Sequence, residues 1–340
     1  MNQKLLSTLS QYKKIILVGG GTGGHIQPII SIVKNLKNTD IDCIWIGGIH
    51  SEEEKVANTE KIHFLSIPTL KLSTTRSFKI LLYPFFLFIG FFRARTLLKG
   101  FKKGDDTAIF SKGGPGSIPI GIAAWSLSIP LYIHESDTIP GRSNRILGKF
   151  ANKIWLGFES AKQYFASQKS EVIGQILDPV FSIQSTNLPT YEPTINWKTS
   201  KPHILVICGS QGAKNVFDAI IDQFRDNESY EWIIALGKLN SSMQPEFGVL
   251  DNCQAIPWIS QENIAHLIWN TDIAISRGSA TTLAELTSNK EKIPKLIIIP
   301  LPYSAGNHQY YNAKEYEKMG HILLEQKSIK ELKNTIYNLQ

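Results

Sequence analysis

The sequence predicts an α/β fold built from two Rossmann-like, doubly wound parallel-sheet domains. Three observations carry this expectation. Short apolar runs alternate with helical segments along most of the chain, as strands alternate with crossover helices in a parallel sheet. Two of those runs, Lys14-Ile15-Ile16-Leu17-Val18 and His203-Ile204-Leu205-Val206-Ile207, each lead into a glycine-rich loop and a helix, so the second half of the chain echoes the first. Between them, residues 182–200 are rich in Ser, Thr, Pro and Asn, like a linker. At 340 residues the chain is long enough for two domains with a core each. The expected division is an N-terminal domain over 1–181, a linker region over 182–200 and a C-terminal domain over 201–340, whose last helix could pack back on the first domain.

Taken in order, the first strand runs into Gly19-Gly20-Gly21-Thr22-Gly23-Gly24-His25, with a helix expected from about Pro28. Gly19, Gly21 and Gly24 match GxGxxG in the strand–loop–helix setting of a phosphate loop. Dinucleotide binding would then want an acid at the end of the next strand. That strand, Cys43-Ile44-Trp45-Ile46, ends in Gly47-Gly48-Ile49-His50, which demotes a dehydrogenase. His25 stands at the loop–helix junction as a candidate general base, although a lone histidine has no specific signal of its own.

The net charge of +7 is a local device rather than a nucleic-acid footprint. Lys61 to Gly104 holds nine Lys/Arg and no acid, which leaves the remainder slightly acidic. Within it, the apolar part of Phe78–Phe92 contains Pro84 and is too short to span a bilayer. Its basic flanks suggest a segment that sinks into an anionic membrane surface through Phe85, Phe86, Phe88, Phe91 and Phe92, with Arg93 and Arg95 at the headgroups. The competing reading is a core helix with solvated ends. Met1 to Lys14 is polar, so no secretory signal is expected and the chain should stay in the cytoplasm. Cys43, Cys208 and Cys253 lack metal or redox spacing and read as reduced thiols.

After the strand Thr107-Ala108-Ile109-Phe110 comes a second glycine loop, Ser111-Lys112-Gly113-Gly114-Pro115-Gly116-Ser117, and a helix through Gly121-Ile122-Ala123-Ala124-Trp125. Leu131-Tyr132-Ile133 ends in His134-Glu135-Ser136-Asp137, a polar cluster where open α/β sheets bind ligands. In the second half, the strand over 203–207 enters Cys208-Gly209-Ser210-Gln211-Gly212-Ala213. The stretch Ser276-Arg277-Gly278-Ser279-Ala280-Thr281-Thr282-Leu283-Ala284-Glu285 follows a buried strand. Its small residues and helix start suit an anion such as a diphosphate, with Glu285 one turn further on to reach hydroxyls. Thr282-x-x-Glu285 also fits a capping box, in which Glu285 merely satisfies the helix start. Asn307 and Gln309 could bond sugar hydroxyls or act as caps.

In this order the motifs resemble the MurG family, peptidoglycan enzymes that transfer N-acetylglucosamine (GlcNAc) from UDP-GlcNAc to undecaprenyl-diphospho-muramoyl-pentapeptide. The motifs are Gly20 to His25 with Pro28, Gly121 to Trp125, Ile133-His134-Glu135, Gly209 to Ala213, Arg277 to Glu285, and His308-Gln309 with Asn312-Ala313. The likeness spans essentially the whole chain. It implies a GT-B type architecture, two domains facing across a cleft, and inverting chemistry with no cofactor and no metal site. In that resemblance Trp258 and the Ile259 backbone cradle uracil, while Ser210, Gln211, Ser279, Ala280 and Thr281 lie near the diphosphate. Glu285 takes the ribose, and His308 and Gln309 the GlcNAc. Thr22, Gly23, Gly24 and His25, with Gly113, Gly114 and Ser117, receive the acceptor's diphosphate; Thr22, Gly23, Gly24 and Asp137 also border the donor. His25 is the first candidate base, Asp137 the second, and Glu135 an orienting group. The implied partners are UDP-GlcNAc, the polyprenyl-linked acceptor and an anionic membrane surface at the cytoplasmic face, with no nucleic acid.

Three positions depart from the family pattern. Ser136-Asp137 replaces Gln-Asn, Pro115 replaces a tyrosine, and Gly174-Gln175-Ile176-Leu177-Asp178-Pro179-Val180-Phe181 lacks the arginine of Gly-Asn-Pro-x-Arg. Same-fold alternatives are a glycosyltransferase acting on diacylglycerol and a UDP-GlcNAc epimerase. A non-catalytic sugar-nucleotide sensor is the alternative of another class.

Overall fold

The computed structural model describes the chain except for residues 1–2, 22, 70–78, 103–105, 115, 184–194, 226–227, 251 and 340, and the side chains of 79–83 and 305. Thr22 and Pro115 therefore lie outside the described residues. The chain divides into two compact units, Met1–Pro179 and Val180–Gln340, with the division inside a 3-10 turn over Pro179–Ser182.

The N-terminal unit holds seven parallel strands: β1 (Lys14–Gly19), β2 (Asp42–Gly48), β3 (His63–Ile67), β4 (Thr107–Gly113), β5 (Leu131–Glu135), β6 (Lys153–Leu156) and β7 (Ser170–Val172), in the order β3-β2-β1-β4-β5-β6-β7. Its helices are α1 (Gln3–Leu9), α2 (Gly23–Leu36), α3 (Glu52–Thr59), α4 (Lys79–Phe101), α5 (Ser117–Ser126) and α6 (Arg142–Leu147). The central strands are apolar without alternation because helices cover both faces. Ile16, Ile44, Ile109 and Ile133 line one core, and Ile15, Leu17, Trp45 and Phe110 the other.

The C-terminal unit repeats the plan with β8 (His203–Ile207), β9 (Glu231–Ala235), β10 (Cys253–Ile256), β11 (Ile273–Ser276), β12 (Lys295–Ile298) and β13 (Ile322–Leu323), ordered β10-β9-β8-β11-β12-β13. Its helices are α7 (Lys214–Phe224), α8 (Gln261–Leu267), α9 (Ala280–Leu286), α10 (His308–Lys318) and α11 (Leu332–Tyr337). The chain ends in a 3-10 turn over Gln326–Glu331 followed by α11. Leu332 and Ile336 are buried with Val216, Phe217 and Ile220 of α7 in this unit's own core.

Both sheets reverse winding at one point, between β1 and β4 and between β8 and β11. There the chain leaves two neighbouring strands toward opposite faces, which opens a crevice at their C-terminal ends. The expected helix start at Pro28 is corrected: α2 begins at Gly23, and Pro28 lies buried in its second turn at the cost of one backbone bond to Gly24. His25 is therefore the third residue of a helix rather than a loop residue.

Trp45 ties the end of β1 to β2, its Nε1–H donating to the Gly19 carbonyl at 3.0 Å in a fully buried site. Trp45→Phe should leave that carbonyl unsatisfied and cost the N-terminal unit about 1–3 kcal/mol. Urea unfolding followed by circular dichroism would show this as an earlier first transition; an unchanged one would mean that the bond contributes nothing.

Candidate active site

At the N-terminal switch point the two glycine loops touch. A Cβ on Gly114, which has φ +98°, would stand 2.8 Å from the Gly20 carbonyl, so the contact needs glycine on conformational and steric grounds alike. On the other side, Glu53 reaches under the first loop and accepts N–H bonds from Gly21 at 3.1 Å and Gly48 at 3.3 Å. Glu53 is aimed inward because Ser51 caps α3, accepting from the Glu54 N–H, while Glu54 itself turns back to the His50 N–H.

The loop amides are less available to an anion than the motif suggested. Gly113 N–H donates to Ser111 Oγ, Gly114 N–H to Ser143 Oγ, and the Ser117 hydroxyl to the Gly114 carbonyl. Of the residues expected at the acceptor's diphosphate, Gly23, Gly24 and His25 form the first turn of α2, where helix N–H groups have no intrahelical acceptor. His25 Nδ1 lies 3.0 Å from the Gly20 carbonyl. A carbonyl only accepts, so the proton sits on Nδ1 and the lone pair on Nε2, the tautomer a base requires.

Beside this, the ends of β4 and β5 bury a charged cluster. Lys112 is 1% exposed, with Nζ 2.7 Å from His134 Nδ1 and 2.6 Å from Ser136 Oγ. His134 Nε2 donates to the Gly174 carbonyl at 2.9 Å, so Nδ1 accepts from Lys112 and the ring is neutral. Burial first, and then the Lys112 charge, hold His134 well below the usual histidine range. Glu135 accepts from Asp137 N–H (2.9 Å), Gly141 N–H (3.1 Å) and Asn144 Nδ2–H (2.9 Å). Burial, followed by the Asp137 charge, pushes it up to about 7 against those donors. Burial brings Lys112 down to about 8, opposed by Glu135 and Asp137. Glu135 thus shapes the turn over 135–141 and leaves Asp137, half-buried, at its bend.

In the C-terminal unit the β8 and β11 ends carry the second site. Ser279 precedes α9, so Thr282 is its third residue and Glu285 its sixth; the capping-box reading of that pair is not realised. Glu285 is 5% exposed. Arg277 is buried, its guanidinium donating to the Ile299 carbonyl (3.0 Å) and Gln326 Oε1 (2.8 Å), which joins the ends of β11 and β12. The backbone of Gly278 lies directly against Gln309, whose carbonyl a Cβ would strike, and Asn312 Nδ2 donates to the Gly278 carbonyl at 3.0 Å. Gln309 Oε1 accepts from Leu301 N–H at 2.9 Å, and His308 opens α10. Ser210 and Gln211 are held through their carbonyls by Lys238 N–H and Asn240 Nδ2, and the Ile259 side chain is buried next to an exposed Trp258. The structure thus sets the start of α10, with Gln309, against Gly278, just before Ser279, Ala280 and Thr281 at the start of α9.

The apolar segment before residue 101 turns out to have two faces. Gly90, Ala94 and Leu98 of α4 are buried, with Phe91 packed on the core and Arg95 bonded to Ser126 Oγ. Phe85 (59%), Phe88 (62%) and Phe92 (51%) are exposed with Arg93, and Trp125 of α5 (57%) is exposed as well. Phe91 is therefore a core contact; Phe86 is half-buried. No helix among the described residues is long and apolar enough to cross a membrane, and no three His/Cys/Asp/Glu among them are grouped to hold a metal.

Glu53, Lys112 and Asn144 escaped the sequence reading. Lys112 had a signal, a lone lysine at the end of an otherwise apolar strand, whereas Glu53 is one of three consecutive acids with nothing to single it out.

Two Rossmann-like units with a glycine loop and a polar strand end at each switch point define a nucleotide-sugar enzyme of the GT-B class. The N-terminal domain model of glycosyltransferase family 28 matches residues 15–156 and its C-terminal domain model residues 203–340. The chain belongs to glycosyltransferase family 28. It is 32% identical to the UDP-N-acetylglucosamine–N-acetylmuramyl-(pentapeptide) pyrophosphoryl-undecaprenol N-acetylglucosamine transferase of Sulfurihydrogenibium sp. (strain YO3AOP1), over 93% of this chain and 86% of that one. It is 31% identical to the transferase of the same name from Geobacillus kaustophilus, over 92% and 86%. In fold it is similar to Acinetobacter baumannii MurG (TM-score 0.72, 22% identity, 96% and 91% covered). It is also similar to a Neisseria meningitidis UDP-GlcNAc 2-epimerase (TM-score 0.64, 15% identity, 96% and 91% covered).

Gly278→Ala should drive a Cβ into the Gln309 carbonyl and part α9 from α10, lowering stability by about 1–3 kcal/mol. A thermal melt unchanged from wild type would show that the two segments yield without cost.

Proposed function

We propose that the chain is an inverting N-acetylglucosaminyltransferase that moves GlcNAc from UDP-GlcNAc to undecaprenyl-diphospho-muramoyl-pentapeptide, the last cytoplasmic step of peptidoglycan precursor synthesis. The observation that carries this reading is that relatives matched over about nine tenths of the chain bear that activity in their names, and a reversal of strand order in each sheet supports it. A muramoyl hydroxyl of the acceptor attacks the anomeric carbon of GlcNAc, the new C–O bond forms, and the bond to the UDP oxygen breaks with its electron pair. His25 takes the proton at Nε2, a role supported by its Nδ1 bond to Gly20. Asp137 is the second candidate base. The departing diphosphate is met by the α9 start at Ser279, Ala280 and Thr281, and Glu285 holds the ribose. The first turn of α2 receives the acceptor's diphosphate.

The acceptor carries a polyprenyl chain, and the exposed Phe85, Phe88, Phe92 and Trp125 with Arg93 support docking on an anionic leaflet at the cytoplasmic face. Neither a metal nor nucleic acid has a part in this reading.

The deciding experiment is transfer of labelled GlcNAc to a short-chain acceptor in detergent, with and without EDTA. Turnover indifferent to EDTA, lowered roughly 10²–10⁴-fold by His25→Ala, is the expected result. A His25→Ala enzyme within a few-fold of wild type would remove His25 as the base. Recovery of only a C2-epimerised sugar nucleotide would point to the epimerase reading. For the membrane, the triple substitution Phe85→Ser, Phe88→Ser, Phe92→Ser should abolish co-sedimentation with anionic vesicles while leaving turnover on the detergent-soluble acceptor; equal sedimentation would reject the patch.

A further inference from the structure

Lys112 has no role in the mechanism just given, yet it is a buried cation at the end of β4, in the second glycine loop. An ammonium removed from water is costly unless charge or hydrogen bonds compensate. Its two bonds here go to neutral partners, the His134 ring and the Ser136 hydroxyl, and no carboxylate lies within ion-pair distance of it among the described residues. Its stem packs against the end of β1, where a Cβ on Gly19 would stand 2.9 Å from Lys112 Cβ. A hydrophobic side chain of similar length would fill that space without the cost.

What a hydrophobic side chain would not do is balance charge. Ser136, bonded to Lys112, separates the two acids Glu135 and Asp137. His134 is neutral, because one ring nitrogen donates to Gly174 and the other accepts from Lys112. The titratable groups around the cluster are His134 and Glu135 on β5 and Asp137 on the turn after it, while α6 contributes the neutral Asn144. With Lys112 charged, the cluster formed by Lys112, Glu135 and Asp137 carries one net negative charge when both acids are ionised. Without it the cluster carries two, which favours a proton on one of the acids. Glu135 is the more deeply buried acid, and it organises the turn by accepting three N–H bonds, from Asp137, Gly141 and Asn144. Protonated, it gives up part of that acceptor capacity.

We propose that Lys112 is a positioning residue whose buried charge favours the ionised form of Glu135, and through Glu135 holds the 135–141 turn and Asp137 in place for the transfer reaction. This rests on the transferase reading for its catalytic consequence but not for its electrostatics. The same logic explains why this chain tolerates a carboxylate at position 137: the cation one strand away offsets it.

The test is a carbon-13 NMR titration of Glu135 in protein labelled at glutamate carboxyls, assigned with Glu135→Gln, together with pH profiles of kcat/KM. Wild type should titrate near 7. Lys112→Met should raise the midpoint by one unit or more, and Lys112→Met with Asp137→Asn should bring it back. In turnover, the acidic limb of kcat/KM should shift upward in Lys112→Met, a loss of about fivefold at pH 7 for a one-unit shift, recovered near pH 9. An unchanged Glu135 midpoint, or a Lys112→Met enzyme weakened equally at every pH, overturns the proposal and leaves Lys112 as packing. Should Lys112→Met not fold, Asp137→Asn alone must lower the Glu135 midpoint; no movement is again fatal. A wild type that titrates as stated but makes no product would refute the transferase reading and leave the electrostatic one standing.

Discussion

Each unit depends on one parallel ladder, β1 with β4 and β8 with β11, where two neighbouring strands send their chains to opposite faces of the sheet. A parallel sheet wound in one direction would close this gap with a helix. Reversing the winding leaves a crevice lined by strand ends and helix starts, the one place in each sheet where backbone N–H groups point outward together. The glycine loops and the Gly278–Gln309 contact sit at these two ladders, and the His134–Asp137 turn follows the strand next to the first of them.

The bracing in the first unit is electrostatic. Glu53 under one glycine loop and Glu135 beside the other are buried carboxylates that each satisfy several backbone N–H groups, while Lys112 supplies a buried positive charge. At the second switch point the bracing is backbone contact and neutral amides, with Arg277 donating to the carbonyls of Ile299 and Pro300 and to Gln326 Oε1. The candidate base thus lies in a site whose geometry depends on ionisation.

Much of this was legible in the residues. Alternating apolar runs showed both sheets, and the loop motifs showed where loops pack closely at the strand ends, since glycine next to a buried strand suits a close approach of backbones. Failures came where one residue type serves two ends. The aromatic run before Phe92 was weighed as membrane or core, and α4 carries two apolar faces: a buried stripe at Gly90, Ala94 and Leu98, and an exposed one at Phe85, Phe88 and Phe92. Helical periodicity cannot separate two apolar faces. Likewise, Thr282 and Glu285 had capping-box spacing, but the helix begins two residues before Thr282 and the pair falls inside it.

By itself, then, the sequence determined the class of fold, the two loop systems and the family, because these follow from local patterns of apolar, glycine and polar residues that hold wherever the chain is placed. Only the tertiary structure decided which groups are charged and which are occupied. The Gly21 amide faces a carboxylate from α3, the His25 proton sits on Nδ1, and the lysine of β4 lies buried between a histidine and a serine of the next strand and its turn. The reason is physical: protonation and hydrogen-bond pairing in a dry interior depend on neighbours tens of residues away in sequence, and their distances exist only once the sheet has formed.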